Sequence, residues 1–389
     1  MKRQNINYNI IGNIGLIDAD LLDNGTRHPN LVIMKLSNYF KNKGCIVSLI
    51  EDYNTIVANN YEGINNYDAI YISKVFDFTK IDKKILNFNN VYYGGTGFYF
   101  NGGRNLPKEI EHTMPDYHIY DNFIKNDKLH INKSVYWKDY TDFSIGFATR
   151  GCFRRCKFCV NRKYKRVKFH SHISEWLDTS RPKIYLWDDN IFAYSKWRQV
   201  FEELIATGKS FQFRQGLDIR LLTDEKAELL SRVKYNGDII FAFDHLKDKE
   251  IIEKKLKLWR QYSNKSTKLY VLSGFESQDE HEIESIFKRI SIIIKYGCLP
   301  YIMRHEKYVN SKYKGMFIQI ARWCNQPQFL KKMSFRQYCD ANQFYKKDKT
   351  TKCSAKQAMD DFEKMFPKIA KQYFDMRFDE QKFNINKKN

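Results

Sequence analysis

The chain has 389 residues, with 66 Lys and Arg against 45 Asp and Glu for a net charge of +21, 43% hydrophobic residues, 16% aromatic residues and eight cysteines. So much ring and β-branched surface excludes a disordered polymer, and eight cysteines in so long a chain exclude a small disulfide-stapled fold. The length suits two or three domains of about 100–200 residues each, and no run approaches the roughly 18 apolar residues of a membrane span.

The opening MKRQNINYNIIGNIGLID sets charges before an apolar stretch. Asn and Gly interrupt that stretch and no small-residue cleavage site follows, so a strand over 9–18 and a cytoplasmic protein are expected. HPNLVIMKLSNYFKNKG (28–44) then places Leu31, Met34, Leu36 and Phe40 at near-helical spacing, with Pro29 at its start and Gly44 at its stop. CIVSLIE, YDAIYIS and NVYYGG follow as strands. Strands alternating with helices predict a Rossmann-like α/β domain over 1–140, its small parallel sheet covered on both faces. The glycine-dense GGTGFYFNGG (94–103) lets backbone approach a ligand closely, yet it lacks the GxGxxG order and reads equally well as a turn.

Six further strands are expected at 143–149, 183–188, 210–216, 238–243, 268–274 and 298–304. Between them lie amphipathic helices such as TDEKAELLSRVK, which Thr223 caps. Six βα units of about 30 residues predict a partial TIM-type (β/α)6 barrel over 141–306, with ligands at the carboxyl ends of its strands. From 307 to 389 the pattern turns to a basic, helical extension without clear strands. Positive charge concentrates in two places: eight basic and no acidic residues from Gly151 to His170, and twelve against three from Arg304 to Lys352. Such runs attract polyanions, so tRNA, DNA or a nucleotide is a candidate partner. A merely solvated basic face fits equally, because Lys, Asn, Ile, Tyr and Phe are abundant throughout.

Directly after the first barrel strand stands ATRGCFRRCKFCVNRK, which sets Cys152, Cys156 and Cys159 in a C-x3-C-x2-C pattern. Three thiolates on one short loop can cap three corners of a cubane iron–sulfur cluster and leave the fourth iron open. The alternative is a structural zinc knuckle completed by His170 or His172 in a nucleic-acid-binding protein. Cys298, Cys324, Cys339 and Cys353 lack any C-x2-C pair and read as buried thiols, and Cys45 as core.

This loop, at this place in an α/β series, resembles the radical S-adenosylmethionine superfamily over about residues 141–304. The resemblance implies that Cys152, Cys156 and Cys159 bind a 4Fe-4S cluster whose open iron takes S-adenosylmethionine. Reduction of the sulfonium by the cluster then yields a 5′-deoxyadenosyl radical, with flavodoxin or ferredoxin as reductant. Phe158 matches the aromatic position whose backbone meets adenine. Asp188, Asp189 and Asn190 of LWDDN stand where the family receives the amino group, although an Asp-rich helix cap explains them too. Arg214, Gln215 and Asp218 of FRQGLDIR are suited to the carboxylate and ribose hydroxyls, and Asp244 ends the fourth strand near an acidic family position. No catalytic residue is assigned.

The order of domains is similar to the cobalamin-binding class and to the tRNA methylthiotransferases. GLIDAD, YISKVFDFT, GGTG and QGLDIRLL resemble radical S-adenosylmethionine proteins of phages and prophages. The cobalamin pattern D-x-H-x-x-G is missing, because Asp121 and Glu284 stand where glycine should follow Asp116-x-His118 and Asp279-x-His281. The sequence thus argues against bound cobalamin. The expected function is a radical enzyme acting on a nucleobase or nucleotide, the alternative substrate being a peptide side chain; whether methyl or sulfur is transferred stays open.

Overall fold

A computed structural model describes residues 4–23, 28–99, 103–126, 134–161, 164–345, 348–352 and 354–378. Its backbone contacts divide into two units, Met1–Phe211 and Gln212–Asn389. The division falls inside the span read from sequence as one barrel.

The first unit opens with four parallel strands close to their expected places: β1 (Asn13–Asp18), β2 (Ile46–Leu49), β3 (Ala69–Ser73) and β4 (Val91–Gly94), in the order β2-β1-β3-β4. Strand periodicity sends alternate side chains to opposite faces. Ile14, Leu16, Ala69 and Tyr71 pack with Ile33, Leu36 and Phe40 of the helix Leu31–Asn42, whereas Ile17, Ile70 and Ile72 pack with Ile56, Ile64 and Ile85 on the other side. Two cores on one parallel sheet are the covered arrangement that near-continuous apolar strands require. The helix is capped by Asn30 and starts at Leu31, not at Pro29: the Asn30 side chain accepts the N–H of Val32 and of Ile33.

The chain continues through β5 (Phe143–Gly146), the short antiparallel pair β6 (Thr149–Arg150) and β7 (Lys168–Phe169), β8 (Lys183–Leu186) and β9 (Ser210–Phe213). β5, β8 and β9 form one sheet, with β5 parallel to β8. Gly146 is glycine for space: a Cβ there would lie 2.3 Å from the Trp176 ring.

In the second unit β10 (Ile239–Ala242), β11 (Thr267–Ser273) and β12 (Leu299–Arg304) form a parallel sheet. Helices Lys249–Tyr262 and Glu280–Lys295 connect them and bury Trp259, Ile286 and Ile290. Helix Asp224–Arg232 begins as expected, with the Thr223 hydroxyl accepting the Lys226 N–H. The tail is mainly helical but not strandless: β13 (Phe344–Tyr345) and β14 (Asp348–Lys352) pair antiparallel. DKTTK carries no apolar alternation, which is why periodicity misses it. All six strands expected in the second series are present, three of them before or across the unit division and three after it. No helix among the described residues is long and apolar enough to cross a membrane.

Candidate functional site

The three cysteines lie on the loop that β6 and β7 close. Gly151, at φ +103°, turns the chain out of β6, and a Cβ there would meet the Arg166 carbonyl oxygen at 2.5 Å. Cys152, Cys156 and Cys159 are reduced and half-buried. The Cys159 N–H donates to the Cys156 carbonyl at 3.0 Å, which tightens the C-x2-C turn. Donors converge on sulfur: the Arg154 N–H and the Asn190 amide reach Cys152 Sγ at 3.5 and 3.4 Å, and the Asn161 N–H reaches Cys159 Sγ at 3.4 Å. Such N–H contacts stabilise metal-bound thiolate and tune its potential.

The end of β8 holds this loop in place. Asp188 is buried, and its carboxylate accepts the N–H groups of Ala148 and Thr149, at 3.1 and 2.6 Å, and the Thr149 hydroxyl. Burial pushes the Asp188 carboxyl up to about 6, against the pull of these hydrogen bonds. Asp189 accepts the Gly151 N–H at 2.6 Å and the Asn161 side-chain amide. LWDDN is therefore brought to the cysteine loop, with Asn190 donating to Cys152 Sγ; Asn190 precedes the short helix Ile191–Ala193 but its side chain does not cap it. Phe158 is half-buried on the loop. His170 pairs with Glu111 at 3.2 Å and His172 with Glu203 at 2.9 Å, so both candidate knuckle histidines face carboxylates. Among the described residues no three His, Cys, Asp or Glu side chains converge as ligands of a single ion would. Cys45, Cys298, Cys324 and Cys339 are buried as expected, with burial pushing Cys298 up to about 11; Cys353 lies outside the described residues.

The loop is basic and outward-facing: Arg155, Lys157, Lys165, Arg166 and Lys168 are exposed, while Arg162 and Lys163 lie outside the described residues. Arg214, Gln215, Asp218 and Asp244 belong to the second unit. There Arg214 donates to Gln212, Gln215 is exposed, and Asp218 pairs with Arg220, which also holds Asp248. Asp244 borders a pocket of about 100 Å3 with His245, Glu282 and Arg289, and burial raises its carboxyl.

Sequence reasoning did not foresee a cavity of about 760 Å3 in the first unit. It opens where β1, β3 and β4 end, at the β1/β3 switch in strand order, which is where parallel α/β sheets bind ligands. Asp18 and Ser73 end their strands there, and Gly94 and Gly95 form part of the wall. Gly95 is at φ +109°, and a Cβ would collide with the Lys74 carbonyl at 2.2 Å. Val160 and Asn161 of the cysteine loop and Arg150 at the end of β6 line the same cavity, and Phe76 and Phe78, stacked 5.2 Å apart, form an exposed apolar rim with Val75. Burial pushes Asp18 up to about 7, even with Tyr120 and Asn30 donating to it. Lys35 is buried against Glu111 at 2.9 Å; burial lowers its ammonium, Glu111 opposes this and nearby Arg150 adds to it. Two local signals pointed here: the glycine-dense loop 94–103, whose Gly94, Gly95 and Thr96 line the cavity, and GLIDAD, an acidic residue at a strand's carboxyl end.

No protein-family model matches the chain, and no curated protein matches it in sequence. Solved structures do match in fold. The radical S-adenosylmethionine methyltransferase TsrM from Kitasatospora setae, with cobalamin and a [4Fe-4S] cluster bound, aligns at TM-score 0.54 and 11% identity, over 76% of this chain and 75% of that one. The same enzyme with tryptophan and the analogue aza-SAM aligns at 0.51 and 11% identity, over 75% and 72%. The chain thus has the mixed α/β fold of a cobalamin-bound radical S-adenosylmethionine methyltransferase. The inference against cobalamin, drawn from the missing D-x-H-x-x-G pattern, is overturned: the solved enzyme that shares the fold has cobalamin bound. That pattern reports only a histidine ligand, whereas the volume for a large ligand is supplied by the sheet ends.

Proposed function

We propose that the protein is a radical S-adenosylmethionine enzyme in which Cys152, Cys156 and Cys159 hold a 4Fe-4S cluster and the cavity of the first unit holds cobalamin. The carrying observation is the shared wall: Val160 and Asn161 of the cysteine loop, and Arg150 at the end of β6 that leads into it, line the cavity. The donor set fits the cluster, because three reduced thiols share one loop that carries no fourth cysteine, and N–H donors reach the sulfurs of Cys152 and Cys159. The cavity fits a large, partly apolar ligand through its volume and its Phe76–Phe78 rim.

When bound, the cluster supplies the electron that splits the sulfonium. The chain's own residues do the rest. Asp188 and Asp189 fix the loop backbone, Asn190 donates to Cys152 Sγ, and Phe158 is assigned to adenine. Arg214, Gln215, Asp218 and Asp244 are assigned to S-adenosylmethionine from sequence in this reading, which takes 1–140 as the corrinoid domain, 141–306 as the barrel and 307–389 as a basic extension. The exposed Arg155, Lys157, Lys165, Arg166 and Lys168 support a nucleic acid base or nucleotide as substrate, through phosphate contacts that position it.

Anaerobic reconstitution with iron, sulfide and hydroxocobalamin, followed by reduction with S-adenosylmethionine, tests this. Formation of 5′-deoxyadenosine or of S-adenosylhomocysteine, stimulated by host RNA or DNA, is expected. A fully loaded protein that leaves S-adenosylmethionine intact would end the proposal, and stimulation by peptide fractions alone would overturn its substrate half.

A further inference from the structure

Three carboxylates line the large cavity, and each is engaged elsewhere. Asp18 accepts from Tyr120 and Asn30; Asp20 accepts the N–H groups of Val75 and Phe76 and the Thr79 hydroxyl; Glu111 holds Lys35 and His170. Arg150 lines the same cavity and has none of them. Its guanidinium lies 3.9 Å from the centroid of the Phe147 ring, its Nε is sealed from solvent, and among the described residues it has no hydrogen-bond or ion-pair partner. Stacking on Phe147 fixes the plane of the guanidinium but provides no acceptor. Trp187, at the end of β8 and on the same cavity, likewise has a sealed indole N–H without an acceptor. Two buried donors without acceptors, one of them charged, are expensive unless a ligand completes them.

We infer that Arg150, with the Trp187 indole N–H, is a binding site for an anionic group, a phosphate or carboxylate, on a molecule held in the cavity beside the cysteine loop. Planar guanidinium presents parallel N–H groups to two oxygens of such an anion, and the Phe147 stack aims it in advance. The inference rests on the proposed use of the cavity but not on the chemistry at the cluster. The anion has two possible sources, the phosphodiester of cobalamin or an acidic group of the substrate.

The test uses the full chain, wild type against Arg150→Met and Arg150→Lys, with three additives: inorganic phosphate, hydroxocobalamin, and cobinamide, which lacks the phosphodiester. Without additive, Arg150→Met should melt at or above the wild-type temperature, because an unpaired charge is removed. Phosphate, compared with chloride at equal ionic strength, should raise the melting temperature of the wild type and of Arg150→Lys more than that of Arg150→Met. A roughly tenfold or greater loss of hydroxocobalamin affinity in Arg150→Met, with cobinamide affinity unchanged, assigns the anion to the corrinoid. Unchanged affinity for both corrinoids, with the phosphate response lost, assigns it to the substrate. If the wild type binds neither corrinoid yet keeps an Arg150-dependent phosphate response, the cofactor reading fails and the anion site stands. Identical behaviour of wild type and Arg150→Met towards all three additives overturns the inference.

Discussion

Asp188 and Thr149 are joined twice: the Asp188 carboxylate accepts both the Thr149 backbone N–H, at 2.6 Å, and its hydroxyl, while also taking the Ala148 N–H. A residue just past the end of β8 thereby fixes the backbone three positions ahead of the first cysteine. Asp188→Ala would leave these donors buried without an acceptor, at about 3 kcal/mol. A lower melting temperature and reduced iron uptake on anaerobic reconstitution are expected, with Asp188→Asn intermediate because it keeps one oxygen. Full iron content in Asp188→Ala would show that the loop does not depend on this bond.

Iron content separates the two classes of cysteine. Cys152→Ala, Cys156→Ala and Cys159→Ala should each lose most of the iron retained by wild type after desalting. Cys45→Ala should keep it, since Cys45 is packed in the core of the first sheet. Equal iron in all four variants would refute the assignment of ligands.

Asp18 makes stability depend on pH. Its carboxyl is raised by burial from 3.8 to about 7, so the folded state binds the proton more tightly than the unfolded chain does. The stability it contributes is complete below about pH 4 and is lost as pH rises through about 7. Denaturant unfolding should therefore show Asp18→Asn gaining on wild type between pH 5 and pH 8. Parallel pH profiles for the two proteins would contradict a buried, protonated Asp18.

Lys35 and Glu111 form a pair whose partners are unequal in burial, Lys35 being the deeper. Burial alone would raise the Glu111 carboxyl, but His170 and Lys35 together hold it down to about 2. The stability from this carboxylate is present above about pH 4.5 and is lost as pH falls towards 2. Glu111→Gln strands a buried ammonium and should cost about 3 kcal/mol. The double variant Lys35→Met with Glu111→Gln should recover most of that loss in urea unfolding, a coupling that a double-mutant cycle measures. Additive losses would mean that the two side chains do not interact.

What could be read from the chain were features of short range. Strand and helix periodicity located β1 to β4 and the six later strands, because each signal lies within about ten residues. The C-x3-C-x2-C spacing placed three thiols on one loop, since that requires no distant partner. The strand pair β13–β14 escaped because its second strand is polar, and the helix start, read at Pro29, falls at Leu31 behind the Asn30 cap because Pro29 and Asn30 both suit a helix start.

Packing alone decided the rest. Lys35 meets Glu111 across 76 residues and Asn30 meets Ser73 across 43, so neither pairing has a local signature. The cavity exists only because β1 and β3 are adjacent while the chain leaves them in opposite directions along the sheet. The volume at these sheet ends was invisible to a motif that encodes one histidine. Arg150 is an ordinary basic residue in a basic stretch until the fold gives every nearby carboxylate to another partner, for a side chain's hydrogen-bond balance is set by its neighbours in space and not by those in sequence.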